Sequence, residues 1–179
     1  MTGPVSENHP LRRLFAGLVE NVLYSDLGMC EPAVASYLAS LLTEFVHLDR
    51  IHLLRSKQGR RLEDVAEMLT DAYLGPDMKG LPRDRIVHKH IGDYTLFWSG
   101  MYPESLRCLG SRTREDRLAA YLEQGKRSYA IASELSGKQT NPPAVVFRRL
   151  SENFECCVTG LGLVRRSWEQ TRLHPFPES

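Results

Sequence analysis

The chain has no excess of charge of either sign: 23 Lys and Arg stand against 22 Asp and Glu, leaving a formal charge of +1 in 179 residues. A dedicated nucleic-acid binder carries a concentrated basic surplus, so this balance argues against that class. Long apolar runs are missing too. The longest uncharged run beside the apolar stripes, Pro32 to Thr43, has 12 residues and includes Ser and Thr, whereas a membrane span needs about 20 predominantly apolar ones. Neither Asn-Gly nor Asp-Gly occurs, and short apolar–polar alternations are lacking, which removes the usual signals of hairpins and strands. No segment recurs with the 20–50-residue period of a solenoid. Met1 to Pro10 has no basic stretch leading into an apolar one, so no secretory signal is expected. Cysteine is sparse, at Cys30, Cys108, Cys156 and Cys157. A chain of this size does not depend on disulfides for its core, and no Cys-x-x-Cys spacing points to zinc. We expect reduced thiols and a cytoplasmic protein.

What is present is an ordinary apolar content, 42%, too high for a disordered chain and enough for one domain with a substantial core. The 10 prolines organise it. None interrupts an apolar-periodic stretch, and proline is tolerated in a helix's first turn but not in its interior. The intervals between prolines therefore read as helices. The first runs from about Pro10 to Asp26 on Leu11, Leu14, Phe15, Leu18 and Val22. A second runs from Glu31-Pro32 to about Arg55, with Val34, Leu38, Leu41, Leu42, Phe45, Leu48 and His52 on its stripe. A third covers Leu62 to Leu74. A fourth covers Arg83 to Gly100, with Val87, His90, Ile91, Tyr94, Phe97, Trp98 and Met101 facing inward. A fifth opens at Thr113–Asp116, where the spacing resembles a capping box, and carries Leu118, Leu122, Gly125, Tyr129 and Ala132. A sixth spans about Ala144 to Gln170. These three- and four-residue spacings place each set on one helical face. The expected fold is all-α: one domain, residues 10–170, of five or six helices packed as antiparallel neighbours, with flexible ends at 1–9 and 171–179.

In such a fold the informative residue is a polar one on an apolar face. His52 and His90 qualify. Asp49 lies three residues before His52, and Asp93 three residues after His90, so each pair can meet on its own helix. Imidazole and carboxylate together suit a metal such as Zn, Fe or Mn, or general acid–base work. The competing reading makes each His a satisfied interior residue holding a helix–helix hydrogen bond. Glu44-x-x-His47 matches half of a di-iron signature, but a second copy is lacking and His47 points away from the apolar stripe. Cys157 falls on the sixth helix's stripe and Cys156 off it, so the pair reads as ordinary thiols. Gly125 and Gly160-x-Gly162 read as sites of close helix packing. The basic groups Arg55–Arg61 and Lys79, Arg83, Arg85 and Lys89 read as solvated surface.

The segment Gly92-Asp93-x-x-Leu96-Phe97-x-x-Gly100-x-x-Pro103-Glu104 resembles a GD-x-x-LF-x-x-G-x-x-PE segment of uncharacterised bacterial all-helical proteins. In those proteins a helix bearing G-x-x-AY follows. Gly125-Lys126-Arg127-Ser128-Tyr129 is similar, with Ser128 in the alanine position. The resemblance covers residues 83–134. It implies a compact helical fold and carries over no activity, cofactor or catalytic residue. It does draw attention to Asp93, near the edge of the apolar face, and Tyr94, within it; both are expected either to hydrogen-bond across to Tyr129 or to cap a neighbouring helix.

The sequence thus points first to a soluble helical-bundle binding, interaction or regulatory module with potential to form a homo-oligomer. The alternative is a metal- or cofactor-dependent enzyme with a site between helices. The candidate ligand-binding residues are His52, His90, Asp93 and Tyr94. The identity of any metal, cofactor, small-molecule ligand or protein partner is not legible, and neither membrane nor nucleic acid is an expected partner.

Overall fold

Helix α1, Pro10–Glu20, starts where proline fixes the first helical turn and the His9 ring accepts the Leu11 N–H at 3.2 Å. The computed structural model describes residues 6–47, 83–106 and 114–173, and the statements below concern those residues. The helical path of α1 widens over Asn21–Asp26 into a π-helical segment, closed by a Leu27 N–H to Val22 carbonyl bond of 3.0 Å. Gly28 then takes φ +66°, and the Met29 N–H reaches back to the Leu23 carbonyl at 2.7 Å. This seven-to-one closure is one residue wider than the usual six-to-one bond of a helix end, and it turns on the left-handed glycine.

Five further α-helices follow among the described residues: α2 (Pro32–His47), α3 (Arg83–Met101), α4 (Arg114–Glu134), α5 (Ala144–Glu152) and α6 (Phe154–Leu173). The all-α bundle expected from the periodicity is the observed fold. No described helix is long and apolar enough to cross a membrane. The predicted third helix, the basic turn around Arg55–Arg61, Cys108, Asp49 and His52 lie outside the described residues.

Two boundaries differ from the expectation. The predicted sixth helix is two helices, broken at Asn153, which leaves helical geometry with φ −114° and ψ 27°. Its backbone N–H and its side-chain amide both donate to the Arg149 carbonyl at 3.0 Å, and its own carbonyl accepts the Cys157 N–H at 2.9 Å. Asn153 thus ends one helix and starts the next, using the local side-chain bonding that makes asparagine a poor interior helical residue. The apolar stripe runs through this joint without a change of phase, so periodicity alone did not reveal it. At the other end α6 continues to Leu173, beyond the expected limit of the domain.

Helix α3 is the axis of the fold. Every residue from His90 to Met101 is buried, not only the predicted stripe, because α4 and α6 pack along it and α2 closes a further side. A helix buried all round must satisfy its polar side chains internally. Thr95 does so by donating to the Ile91 carbonyl at 2.8 Å. The core around it joins Phe15 and Val19 of α1, Leu38 and Leu42 of α2, Phe147 and Leu150 of α5, and Phe154, Cys157 and Leu161 of α6. At the end of α3, Arg165 of α6 donates to the Met101 carbonyl at 2.7 Å and stacks 4.7 Å over the Tyr102 ring.

Close packing of α4 depends on Gly125. A β-carbon there would collide with the Phe154 ring and stand 2.5 Å from Thr95 Oγ1. The sequence expectation for Gly125 therefore has a specific physical content: α4 touches both α3 and α6 at that point.

Candidate functional site

Asp93 is the most constrained polar residue of α3. Only 4% of it is exposed, yet three other side chains deliver donors to its carboxylate. Lys89 sits one helical turn earlier, so its ammonium falls beside Oδ2 at 2.6 Å; this is the i,i+4 relation that places both side chains on one face. Tyr129 of α4 donates to Oδ1 at 2.7 Å. Tyr37 of α2 donates to the same oxygen at 2.5 Å. The carboxylate thereby ties together three helices that are far apart in sequence.

Gly92 makes the Tyr129 contact available. A β-carbon at Gly92 would lie 2.6 Å from Cε1 of the Tyr129 ring, closer than packed atoms allow. Glycine followed by aspartate thus lets the ring lie against α3 and gives its hydroxyl an acceptor. The two sequence segments that carry the resemblance meet here. Tyr129 also stacks on Phe147 with ring centroids 5.8 Å apart and planes inclined by 17°.

Burial, and then the neighbouring Asp93 charge, push the Tyr37 and Tyr129 hydroxyls well above the ordinary tyrosine value. Both stay protonated and act as donors across the working pH range. Lys89 also lies 5.8 Å from the Tyr37 ring centre, a weak cation–π contact that helps fix that ring.

Tyr37, Lys89 and Asp93 of this network line a cleft of about 650 Å³, with Tyr129 buried behind them. Helix α2 supplies Ser36, Tyr37, Ser40 and Glu44, and α3 supplies Lys89 and Asp93. Arg12 of α1 enters from the side, where its Nη2 donates to the Ser36 carbonyl at 3.0 Å and to Ser36 Oγ at 3.1 Å. The turn before α5 closes the rim through Asn141, Pro142 and Pro143. That rim is held from behind by Arg85, which is 1% exposed. Arg85 donates to the Pro142 carbonyl and to Ser136 Oγ, both at 2.8 Å, and lies 5.2 Å over the Phe147 ring. Burial lowers its pKa, but guanidinium starts so high that it stays charged.

Arg85 corrects the surface reading of the basic group Lys79–Lys89. It is an interior residue that binds a loop, and Lys89 is half-buried against Asp93. A buried cation is stable only with a full set of acceptors, and those acceptors lie more than 50 residues away in sequence.

Of the sequence-predicted site residues, Asp93 lines the cleft. His90 is buried on the same helix and is not part of the cleft lining. Tyr94 turns the other way: its ring packs 6.2 Å from Tyr121 and 6.3 Å from Trp98. Burial, followed by the influence of Tyr121, pushes the Tyr94 hydroxyl far up. Of the two residues thought able to reach Tyr129, Asp93 accepts its bond. With His52 outside the described residues, the combined His52, His90 and Asp93 set is not assembled among them. The described residues contain no group of three His, Cys, Asp or Glu side chains placed to hold a metal. Sequence reasoning missed Arg12, Tyr37 and Glu44 as partners in one site, and it assigned Lys89 to the surface. The Lys89–Asp93 spacing was the one legible signal; nothing local in the sequence marks Arg12 or Tyr37.

No protein-family model matches this chain, and neither a curated protein nor a solved structure matches it.

Proposed function

We propose that the protein is a binding module whose ligand site is the polar cleft between α1, α2, α3 and the turn before α5. One observation carries this reading. The Asp93 carboxylate, nearly closed off from water, gathers Tyr37, Lys89 and the buried Tyr129, and with the first two it lines a cavity of about 650 Å³. Such a network holds the cleft's polar surface rigid before any ligand arrives. Preorganisation of this kind lowers the ordering cost of binding. The volume falls within the range of sites for small molecules.

The same geometry favours binding over proton-transfer chemistry. Both tyrosines keep their protons, and the carboxylate that would serve as a base is already occupied by three donors. A general base works when its pKa lies near the working pH and its lone pairs face the substrate. We place the protein in the cytoplasm, where its thiols stay reduced.

The test is a two-dimensional NMR screen of the full chain against a library of small polar metabolites. Binding at the cleft perturbs the amides of Tyr37, Lys89 and Val146 together, and the perturbation weakens in Lys89→Ala. Hits confined to other surfaces, or none that respond to Lys89→Ala, would refute the reading.

A further inference from the structure

Arg12 is a buried guanidinium without a counter-ion, which narrows the chemistry of the ligand, given the cleft as binding site. The buried residues of α1 are Arg12, Phe15 and Val19. Their spacing puts the charge on the face that packs against the core. Arg12 is 8% exposed, and a charge withdrawn from water to that extent is ordinarily paired with one of opposite sign. No carboxylate among the described residues lies within 4 Å of it. Its bonds to the Ser36 carbonyl and Ser36 Oγ both come from Nη2, and both end on neutral acceptors. Nε and Nη1 have no acceptor among the described residues, and neither is sealed from solvent. Since Arg12 lines the cleft, the cleft is where those donors meet solvent. Arg85 also bonds neutral acceptors, but it commits two nitrogens to them and its face to Phe147, and it is not part of the cleft lining.

The lining adds donors to the guanidinium. Ser40 follows Ser36 by one helical turn on the same wall, as the four-residue spacing requires. The start of α5 lines the cleft through Pro143 and Val146, and no side chain caps it. The unbonded N–H groups of a first helical turn carry partial positive charge. Other charges on the lining are accounted for. Lys89 and Asp93 neutralise each other. Glu44 is engaged in an interaction of its own. Glu7 is exposed and therefore screened by solvent.

We infer that the cleft takes a small monocarboxylic acid in its ionised form, its carboxylate against the Arg12 nitrogens that Ser36 leaves free. A guanidinium is held rigid by Ser36 before the ligand arrives, and its bonds to a carboxylate are about twice as strong as neutral ones. The ligand's charge matches the site. One unit of positive charge stands unpaired, and a carboxylate carries one negative unit. A phosphate monoester carries about 1.5–2 at pH 7, so it brings an excess that Glu7 and the Asp93 wall oppose.

Nitrogen-15 NMR of the full chain reads the site directly, through the Arg12 Nε–H signal, with the exposed Arg13 as an internal control. The probes are acetate, lactate and benzoate, the three corresponding amides, and inorganic phosphate. At least one carboxylate is expected to shift the Arg12 signal to saturation and leave Arg13 unmoved, and its amide to bind about tenfold more weakly. Arg12→Gln should reduce that carboxylate to the level of its amide. If Arg12→Gln does not fold, the Arg12 signal and the comparison of acid with amide on the natural chain still decide the matter. An amide that binds as well as its acid, phosphate that binds more tightly than every carboxylate, equal shifts at Arg12 and Arg13, or no response to any carboxylate would overturn the inference. Uncharged metabolite hits at the cleft in the NMR screen, with Arg12 silent toward carboxylates, would leave the cleft reading standing. Silence in both experiments would sink both.

Discussion

Replacing Asp93 with alanine removes the acceptor on which α2, α3 and α4 converge, and the cost follows from what each donor is left with. Tyr129 is fully buried, so its hydroxyl finds no water, and an orphaned buried donor costs about 1–3 kcal/mol. Tyr37 is half-buried, and Lys89 exposes 24% of its side chain. Each can be partly rehydrated and loses about 1 kcal/mol or less. A small void at the former carboxylate adds about 1 kcal/mol. The expected total is about 3–5 kcal/mol, a fall in Tm of about 6–20 °C for a chain of this size. Urea unfolding followed by circular dichroism measures the first quantity, and calorimetry the second. A second substitution makes the reasoning sharper. Alone, Tyr129→Phe should cost about 1–2 kcal/mol, because Asp93 retains Tyr37 and Lys89. In the Asp93→Ala background it should cost nothing or stabilise, because it removes an orphaned hydroxyl. An Asp93→Ala cost below about 1 kcal/mol, or a Tyr129→Phe cost identical in both backgrounds, would refute the account.

Three other outcomes follow from the same structure. Burial pushes the Cys157 thiol from 9.0 up to about 12, and Tyr37, Tyr94, Tyr121 and Tyr129 all rise above their ordinary value of 10.0. The unfolded chain therefore releases these protons first. The stability they provide is complete below about pH 9 and falls above it, by up to about 1.4 kcal/mol per pH unit for each linked group; a denaturation series from pH 8 to 11 that stays flat would contradict this. Gly125→Ala drives a β-carbon into Phe154 and Thr95 and should destabilise by about 1–3 kcal/mol, read as a lower urea midpoint at unchanged slope. Arg85→Ala strands the Pro142 carbonyl and the Ser136 hydroxyl and should cost about 2–4 kcal/mol. Arg85→Lys should not restore the loss, since an ammonium cannot span both acceptors while lying over Phe147; full rescue by lysine would count against the proposed geometry.

The helices were legible because burial of one face leaves a periodic trace in the residues themselves. Prolines at positions 10, 32 and 143 sit where helices begin, and the predicted stripe residues of α3 from His90 onward are all buried, although burial there extends to every residue between them. Asp93 was legible from its spacing, three residues after His90, a polar residue on the apolar face. Asn153 was not, because a one-residue joint between two helices preserves the phase of the stripe. Arg85 and Lys89 were misassigned to the surface because a basic residue reads as solvated unless its acceptors are known. For Arg85 those acceptors, Pro142 and Ser136, are defined by chain packing; for Lys89 the acceptor, Asp93, lies one helical turn further on. Tyr37 and Arg12 gave no local signal at all.

The amino-acid sequence by itself determined the secondary structure class and much of the helix placement, since periodicity, proline position and glycine tolerance act over a few residues. Of the polar groups that enter the core, it marked His90 and Asp93. Which partners those groups found was decided only by the tertiary structure. The bonds from Tyr37 and Tyr129 to Asp93 cross 56 and 36 residues of sequence, and the Arg85 bond to Pro142 crosses 57. Specific pairing over such separations arises from three-dimensional packing, and the cleft exists only where α1, α2, α3 and the turn before α5 are brought together.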